Sequence, residues 1–389
     1  MTRTYIENSR IYQNGNFIDG HTLVIENGKI TAIQPSQTTT PADSDTRIDA
    51  QGANTLSGFI DVHIHGSHGF DTMDGTIEAL QGLCDFLVTQ GVTGFLPTTM
   101  SDTTEHVSSV LSALVDFSSR PHTPYLGVHL EGPYLNTTHR GSQPDTYLRN
   151  PAPNEYLPWF ETGQIKLMTI APELDGGHQL IEEAKKHNII TTLGHSGATY
   201  DSAHDAFKVG LSQITHTFNG MAGIHHRNPG AFVAATENPN ITFQIITDGV
   251  HIHPAIVNMV VKLVGTERVV VITDAMRAAG LADGEYELGD VHVTVTNGEA
   301  RTAQGGLAGS TLTMPNALRN VMQFCDLTLE QAIPMLTEVP ARSIGLYPQK
   351  GVLQVGADAD IVLWDDKNGV MATLIDGKIV YQQADYALA

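Results

Sequence analysis

Cysteine is nearly absent. Among 389 residues only Cys84 and Cys325 carry a thiol, and their separation fits neither a disulfide framework nor a zinc knuckle. Both are expected as buried thiols in a reducing compartment. Basic residues are also scarce: 21 Lys and Arg stand against 42 Asp and Glu, a formal net charge of -21. Such a chain repels nucleic-acid backbones and anionic membranes, so no nucleic acid and no membrane is expected as a partner. A few placed donors still suffice to hold a small anionic substrate in a cleft. Long apolar runs are missing, and Met1-Thr-Arg-Thr-Tyr-Ile-Glu-Asn8 has no basic segment followed by an apolar core. With nothing long enough to cross a bilayer, a cytoplasmic protein is the expectation. No GxGxxG follows the first central strand, and no exact repeat or low-complexity tail occurs.

Short strands and turns fill both ends of the chain. Tyr5-Ile6, Arg10-Ile11-Tyr12, Leu23-Val24-Ile25 and Lys29-Ile-Thr-Ala-Ile33 are separated by turn signals, with Asn27-Gly28 the strongest hairpin signal among them. The polar stretch from Gln37 to Asp45 reads as a surface loop. At the far end, Gly351 to Trp364 and Val370 to Tyr381 again read as strands and turns, and Asp376-Gly377 marks a hairpin. Neither set buries much by itself. The two are expected to combine into one small β domain around a large central insertion.

The centre alternates strand with helix. Helical patterns run from Thr76 to Thr89, Glu105 to Ser118, Gln179 to His187, Ser202 to Val209 and Pro254 to Val264. Between them lie apolar runs such as Tyr125 to Leu130, Ile165 to Ile170, Ile189 to Leu193, Gln213 to His216, Thr242 to Ile246 and Val269 to Thr273. Near-continuous apolar strands alternating with helices indicate a parallel sheet covered by helices. Their number favours a closed (β/α) barrel over an open doubly wound sheet.

Barrel chemistry sits at strand ends, and the ends here are polar. In Phe59-Ile-Asp-Val-His-Ile-His65 the alternation puts His63 and His65 on one face. Glu131 follows Val128-His-Leu130, His195 follows Thr192-Leu-Gly194, His216 follows Ile214-Thr215, and Asp274 follows Val271-Ile-Thr273. A lone histidine at such a place is usually a hydrogen-bonded core residue. So many imidazoles and carboxylates at one end of a barrel are costly to bury unless they share a purpose, and a metal centre is the simpler explanation.

These segments resemble the amidohydrolase superfamily and, within it, its deacetylases of amino-sugar phosphates. The resemblance rests on Gly58-Phe-Ile-Asp-Val-His-Ile-His-Gly66, His129-Leu-Glu-Gly-Pro-Tyr134, Leu193-Gly-His-Ser-Gly-Ala198, Thr215-His-Thr-Phe-Asn-Gly-Met221 with Arg227-Asn-Pro-Gly230, Thr247-Asp-Gly-Val-His251, Ile272-Thr-Asp-Ala275 and Leu307-Ala-Gly-Ser310. Histidine-x-histidine is shared by the whole superfamily, whereas the Glu-Gly-Pro and His-x-Phe-Asn-x-Met segments are far more specific. The resemblance implies an α/β fold, a (β/α)8 TIM-like barrel over 57–346, with a small β-sandwich domain formed by both chain termini, 1–56 and 347–389.

It further implies hydrolysis of the acetyl group of N-acetylglucosamine 6-phosphate to glucosamine 6-phosphate and acetate. N-acetylgalactosamine 6-phosphate or a related amide, and noncatalytic sugar-phosphate binding, are the alternative readings. Glu131, His195 and His216 resemble the principal metal ligands. Retention of His63 and His65 allows a second ion bridged by Glu131, so one or two divalent metal ions per subunit are expected, zinc or iron. Asp274 is the implied general base. Asn219 and the backbone near Gly220 would lie beside phosphate, His251 would contact the sugar or its phosphate, and Arg227 would reach across a homodimer interface. Gln143 stands where some family members have histidine, and it can orient a hydroxyl or carbonyl but cannot act as an imidazole acid. Ser310 belongs to a turn expected to help enclose the sugar, with Met314 as an apolar contact or a core residue.

Overall fold

Strands in the centre arise from short, mostly apolar runs. The computed structural model describes residues 3–386, and in it Phe59–Ile64, Val92–Pro97 and Val269–Ile272 are buried along their whole lengths. Strands without a solvent face need cover on both sides. They belong to a curled parallel sheet of β1 (Phe59–Ile64), β2 (Val92–Pro97), β3 (Val128–Glu131), β4 (Ile165–Ile170), β5 (Ile190–Leu193), β6 (Gln213–Ile214), β7 (Thr242–Ile246) and β8 (Val269–Ile272). β1 pairs with β2, and β3 through β8 pair in chain order, all parallel. Bridges from Phe95 to Tyr125 and from Thr98 to His129 join β2 to the next strand. Closure comes just past β8, where Asp274 donates its N–H to the His63 carbonyl of β1 at 2.9 Å. The expected barrel is therefore what forms.

Helices cover its outside. Ile77–Thr89 and Thr104–Phe117 begin at Thr76 and Thr103, whose hydroxyls accept the N–H groups of Ala79 and His106. Leu80, Leu83, Cys84 and Leu87 recur at helical spacing and form one buried face. Cys84 and Cys325 are both buried and free. Among the described residues, no helix is long and apolar enough to cross a membrane.

The terminal segments build a β-sandwich. One sheet orders Lys29–Pro35, His21–Glu26, Thr4–Glu7 and Thr46–Asp49; the other orders Lys378–Gln382, Gly369–Ile375, Ile361–Asp365, Asn54–Ser57, Arg10–Gln13 and Asn16–Ile18. The hairpins turn at Asn27-Gly28 and Asp376-Gly377, where each residue has positive φ, as tight turns between twisted strands require. Alternation along Ile361–Asp365 then divides the labour. Ile361 and Leu363 enter the sandwich core, while Val362 and Trp364 join the barrel core. Expected bounds at 1 and 389 fall among residues 1, 2 and 387–389, which lie outside the described residues.

Two segments differ from the sequence pattern. Gly351 to Asp360 forms turns rather than strand, and strand resumes only at Ile361. A buried ion cluster holds this return: Lys350 Nζ lies 3.0 Å from Asp358 Oδ2 and 2.6 Å from Asp360 Oδ2. The other is an unanticipated antiparallel sheet of Gly284–Leu288, Val291–Thr296 and Glu299–Thr302 after β8. Its signals were alternation in Val291–Thr296, which buries Val293 and Val295, and an Asn297-Gly298 turn.

Lys350→Ala would leave the buried Asp360 carboxylate without its cation, while Asp358 keeps Lys29. Breaking such a cluster costs roughly 3–5 kcal/mol, so the denaturant midpoint should fall sharply, and an unchanged midpoint would show that the cluster is dispensable.

Candidate active site

The strand ends deliver their side chains to one mouth of the barrel. His63 lies in β1 and His65 just beyond it, and Glu131 ends β3. His195, His216 and Asp274 follow β5, β6 and β8 with positive φ of 47, 25 and 48 degrees. Left-handed backbone at three non-glycine residues is uncommon and turns each side chain off its strand line. Gly220 is pressed against the same place: a Cβ there would sit 2.7 Å from His195 Nδ1.

Two groups of buried donors result, His63 with His65 and Asp274, and Glu131 with His195 and His216. Glu131 lies between them. Its Oε1 is 3.2 Å from His216 Nε2, 3.3 Å from His195 Nε2 and 3.5 Å from His63 Nε2, while Oε2 is 3.2 Å from His65 Nε2. Asp274 Oδ1 is 3.3 Å from His65 Nε2 and 3.5 Å from His63 Nε2.

Ring tautomers decide what such a cluster can hold. His65 Nδ1 is 3.2 Å from the Thr98 carbonyl and His195 Nδ1 is 3.1 Å from the His139 carbonyl. A carbonyl only accepts, so Nδ1 carries the proton in both rings, and in the neutral imidazole Nε2 presents a lone pair to the centre. The Nε2 atoms of His195 and His216 approach to 3.0 Å, and those of His63 and His65 to 3.4 Å. Ring nitrogens so close to one another and to carboxylates need positive charge between them, a shared proton or a metal ion. Nitrogen and oxygen donors without sulfur suit a divalent ion of the zinc or iron type, so these residues fit one or two such ions.

The electrostatics favour positive charge at this centre. Burial opposes charge on His65, yet the Asp274 and Glu131 carboxylates outweigh it and push the imidazole up to about 10. Burial likewise raises the Asp274 carboxyl, but His63 and His65 hold it well below the usual range. Glu131 is held low by His63, His195 and His216 against the same burial. Each carboxylate is poised to stay ionised beside positive charge.

A cavity of about 260 Å³ opens over the cluster, with Asn219, Gly220, His251, Asp274 and Gln143 in its wall. His251 is fixed by Asp248, 2.6 Å away; burial lowers its imidazole, and Asp248 reverses this to raise it. Gln143 is 1 % exposed and uses both ends of its amide on the protein, donating to Glu131 Oε2 at 2.9 Å and accepting from the Ser101 N–H at 2.8 Å. Ser310 lies behind the cleft wall. Its hydroxyl donates to the Thr273 carbonyl at 2.6 Å, and its N–H to the Asp274 carbonyl at 2.7 Å. Arg227 does not line this cavity: it sits on an exposed loop and donates to His226 at 2.7 Å. Met314 is a core residue, 1 % exposed at the start of Met314–Cys325.

Sequence reasoning passed over several buried polar residues around the cluster. Asp61 precedes His63 by two on the same strand face, and His129 precedes Glu131 in the same way, so period-two alternation already marked them. Asp61 accepts from the Thr273 hydroxyl at 2.5 Å, and His129 Nε2 lies 2.7 Å from Thr169 Oγ1. Gln244 signalled itself only as the lone amide in Thr242–Ile246.

A sequence model of the amidohydrolase family matches residues 55–380, and the chain belongs to that family. Within it, the chain is 35% identical over 373 residues to the N-acetylglucosamine-6-phosphate deacetylase of Vibrio furnissii, covering 94% of this chain and 92% of that one. It is 34% identical over 374 residues to the N-acetylgalactosamine-6-phosphate deacetylase of Escherichia coli O157:H7, covering 95% and 97%. The crystal structure of N-acetylglucosamine-6-phosphate deacetylase from Pasteurella multocida superposes with a TM-score of 0.93 at 28% identity, covering 98% of this chain and 100% of that one.

The two donor groups are separable by metal analysis. Purified protein should carry up to two equivalents of divalent ion, His63→Asn should retain one, and Glu131→Gln should lower both. Equal metal content in all three proteins would refute a centre built on Glu131.

Proposed function

We propose that this chain is a metal-dependent hydrolase that converts N-acetylglucosamine 6-phosphate to glucosamine 6-phosphate and acetate. The observation that carries the reading is the placement of Asp274 and Glu131 among four converging imidazoles under the cleft, in a chain whose relatives include deacetylases of amino-sugar phosphates. His63, His65 and Asp274 would hold one ion and Glu131, His195 and His216 another. Bound ions would supply Lewis acidity toward a water molecule and the amide carbonyl.

Asp274 performs the proton transfers. As the water oxygen bonds to the acetyl carbon, the carboxylate takes a water proton; as the carbon–nitrogen bond breaks, it returns that proton to the amine nitrogen. The ionised state held by His63 and His65 is the one this step requires. His251, Asn219 and the backbone at Gly220 form the wall that would receive the sugar phosphate. Gln143 and Ser310 serve the site from behind, through Glu131 and the backbone of Asp274.

Phosphate needs a further cation in so acidic a protein. Arg227 and the half-exposed Ile224 sit on one exposed loop and do not line their own cleft, which supports a homodimer in which Arg227 enters the partner's site. The barrel over 57–346 is taken as the catalytic unit and 1–56 with 347–389 as its support. Free buried thiols fit a reducing, cytoplasmic setting. N-acetylgalactosamine 6-phosphate is the second reading, favoured by the relative from Escherichia coli O157:H7.

Acetate release from both sugar phosphates tests these readings, and binding without turnover after loading with zinc, iron or manganese would overturn them. Asp274→Asn should lower kcat on the order of 10²–10⁴-fold even in protein that keeps the ion at Glu131, His195 and His216; near-normal turnover would remove Asp274 as the base. Arg227→Ala should raise KM roughly tenfold or more for the phosphorylated substrate and leave unphosphorylated N-acetylglucosamine little changed. Equal losses for both would show that Arg227 does not read phosphate.

A further inference from the structure

His65 and His195 have their tautomers set directly by backbone carbonyls. His63 is served differently. Its Nδ1 lies 3.3 Å from Gln244 Oε1; Gln244 Nε2 donates to Gln213 Oε1 at 3.1 Å; Gln213 Nε2 donates to the Ser343 carbonyl at 2.8 Å. His63 and Gln244 are fully buried and Gln213 is 1 % exposed. Ser343 is the last residue of the helix Glu338–Ser343, and a helix leaves its final carbonyls as acceptors without intrahelical partners.

The direction of this chain follows from its far end. A carbonyl can only accept, so Gln213 must turn its NH₂ toward Ser343. Its oxygen then faces Gln244, which must answer with its own NH₂. The Gln244 oxygen is left facing His63, and Nδ1 must carry the proton. Nε2 of His63 therefore keeps its lone pair for the cluster. Either amide reversed alone would set like against like inside the barrel, where an unmet polar group costs about 1–3 kcal/mol.

We propose that Gln213 and Gln244 are positioning residues that fix the His63 tautomer from the Ser343 carbonyl and thereby govern uptake of the ion at His63, His65 and Asp274. The acceptor is a neutral amide rather than a carboxylate, so the ring is oriented without being made strongly basic. Occupancy of this position depends on a hydrogen-bond polarity set at a helix end on the far side of two side chains. The inference rests on the reading of His63 as a ligand.

The test uses zinc titration of the full-length protein together with ¹⁵N spectra of the histidine rings. Gln213→Met touches no histidine and keeps the side-chain volume, yet it frees Gln244 to reverse. It should weaken the second zinc equivalent by about 10–100-fold and move the His63 Nδ1 resonance away from its protonated position. Gln244→Met should do the same, whereas Gln244→Glu, which still accepts from Nδ1, should keep the second equivalent. A packing role alone ranks those two variants in the opposite order, because a buried carboxylate fits an apolar space worse than methionine. Two zinc equivalents of wild-type affinity in Gln213→Met, with an unchanged His63 spectrum, would overturn the proposal. A wild type that binds a single zinc would count against His63 as a ligand, and the His63 spectrum would then decide the relay separately.

Discussion

Closure of the barrel is the constraint on which the rest depends. Asp274 and His63 lie at opposite ends of the sheet order, and one hydrogen bond from the Asp274 N–H to the His63 carbonyl puts them on the same rim. A second tie lies one layer deeper, where Asp61 accepts from the Thr273 hydroxyl. Burial pushes the Asp61 carboxyl up to about 6, and the bonds from Thr273 and His63 work against that rise. A buried carboxylate is tolerable only when it is satisfied in this way. The same pairings that stabilise the seam hold the proposed base against the first two histidines.

Above the seam the chain concentrates donors that repel one another unless a cation joins them. Glu131 draws four Nε2 atoms to within 3.5 Å, and outward anchors keep their lone pairs turned inward. The anchors are the Thr98 and His139 carbonyls for His65 and His195, and the glutamine pair for His63. His216 is the exception: its Nδ1 is buried without a hydrogen-bond partner among the described residues, and it is held instead by left-handed backbone and by contact with the His195 ring. Strained backbone at strand ends is a cost a fold bears where side chains must be aimed.

The sandwich braces this barrel from the side. Its six-stranded sheet offers Val362 and Trp364 to the barrel core, and Thr373 donates to the Val88 carbonyl at 2.7 Å at the end of a barrel helix. Packing of this kind explains how two terminal segments, each too thin to fold alone, become stable on a common support.

Local physics made much of this legible in the residues. Alternation placed His63 and His65 together, helical spacing marked the buried face around Leu80 and Leu87, and Asn-Gly and Asp-Gly announced their hairpins, because each signal acts between near neighbours in the chain. The polar strand ends announced a metal centre. Through-space relations were not readable: Gln143 is locked onto Glu131, Ser310 stands behind Asp274, and Arg227 lies outside the lining of its own cleft. The sequence by itself determined which side chains could bind a cation and on which strand faces they lie, since backbone periodicity carries that information. Only the tertiary structure decided which nitrogen of each ring faces the centre, because a tautomer is chosen by an acceptor that another part of the chain brings into reach.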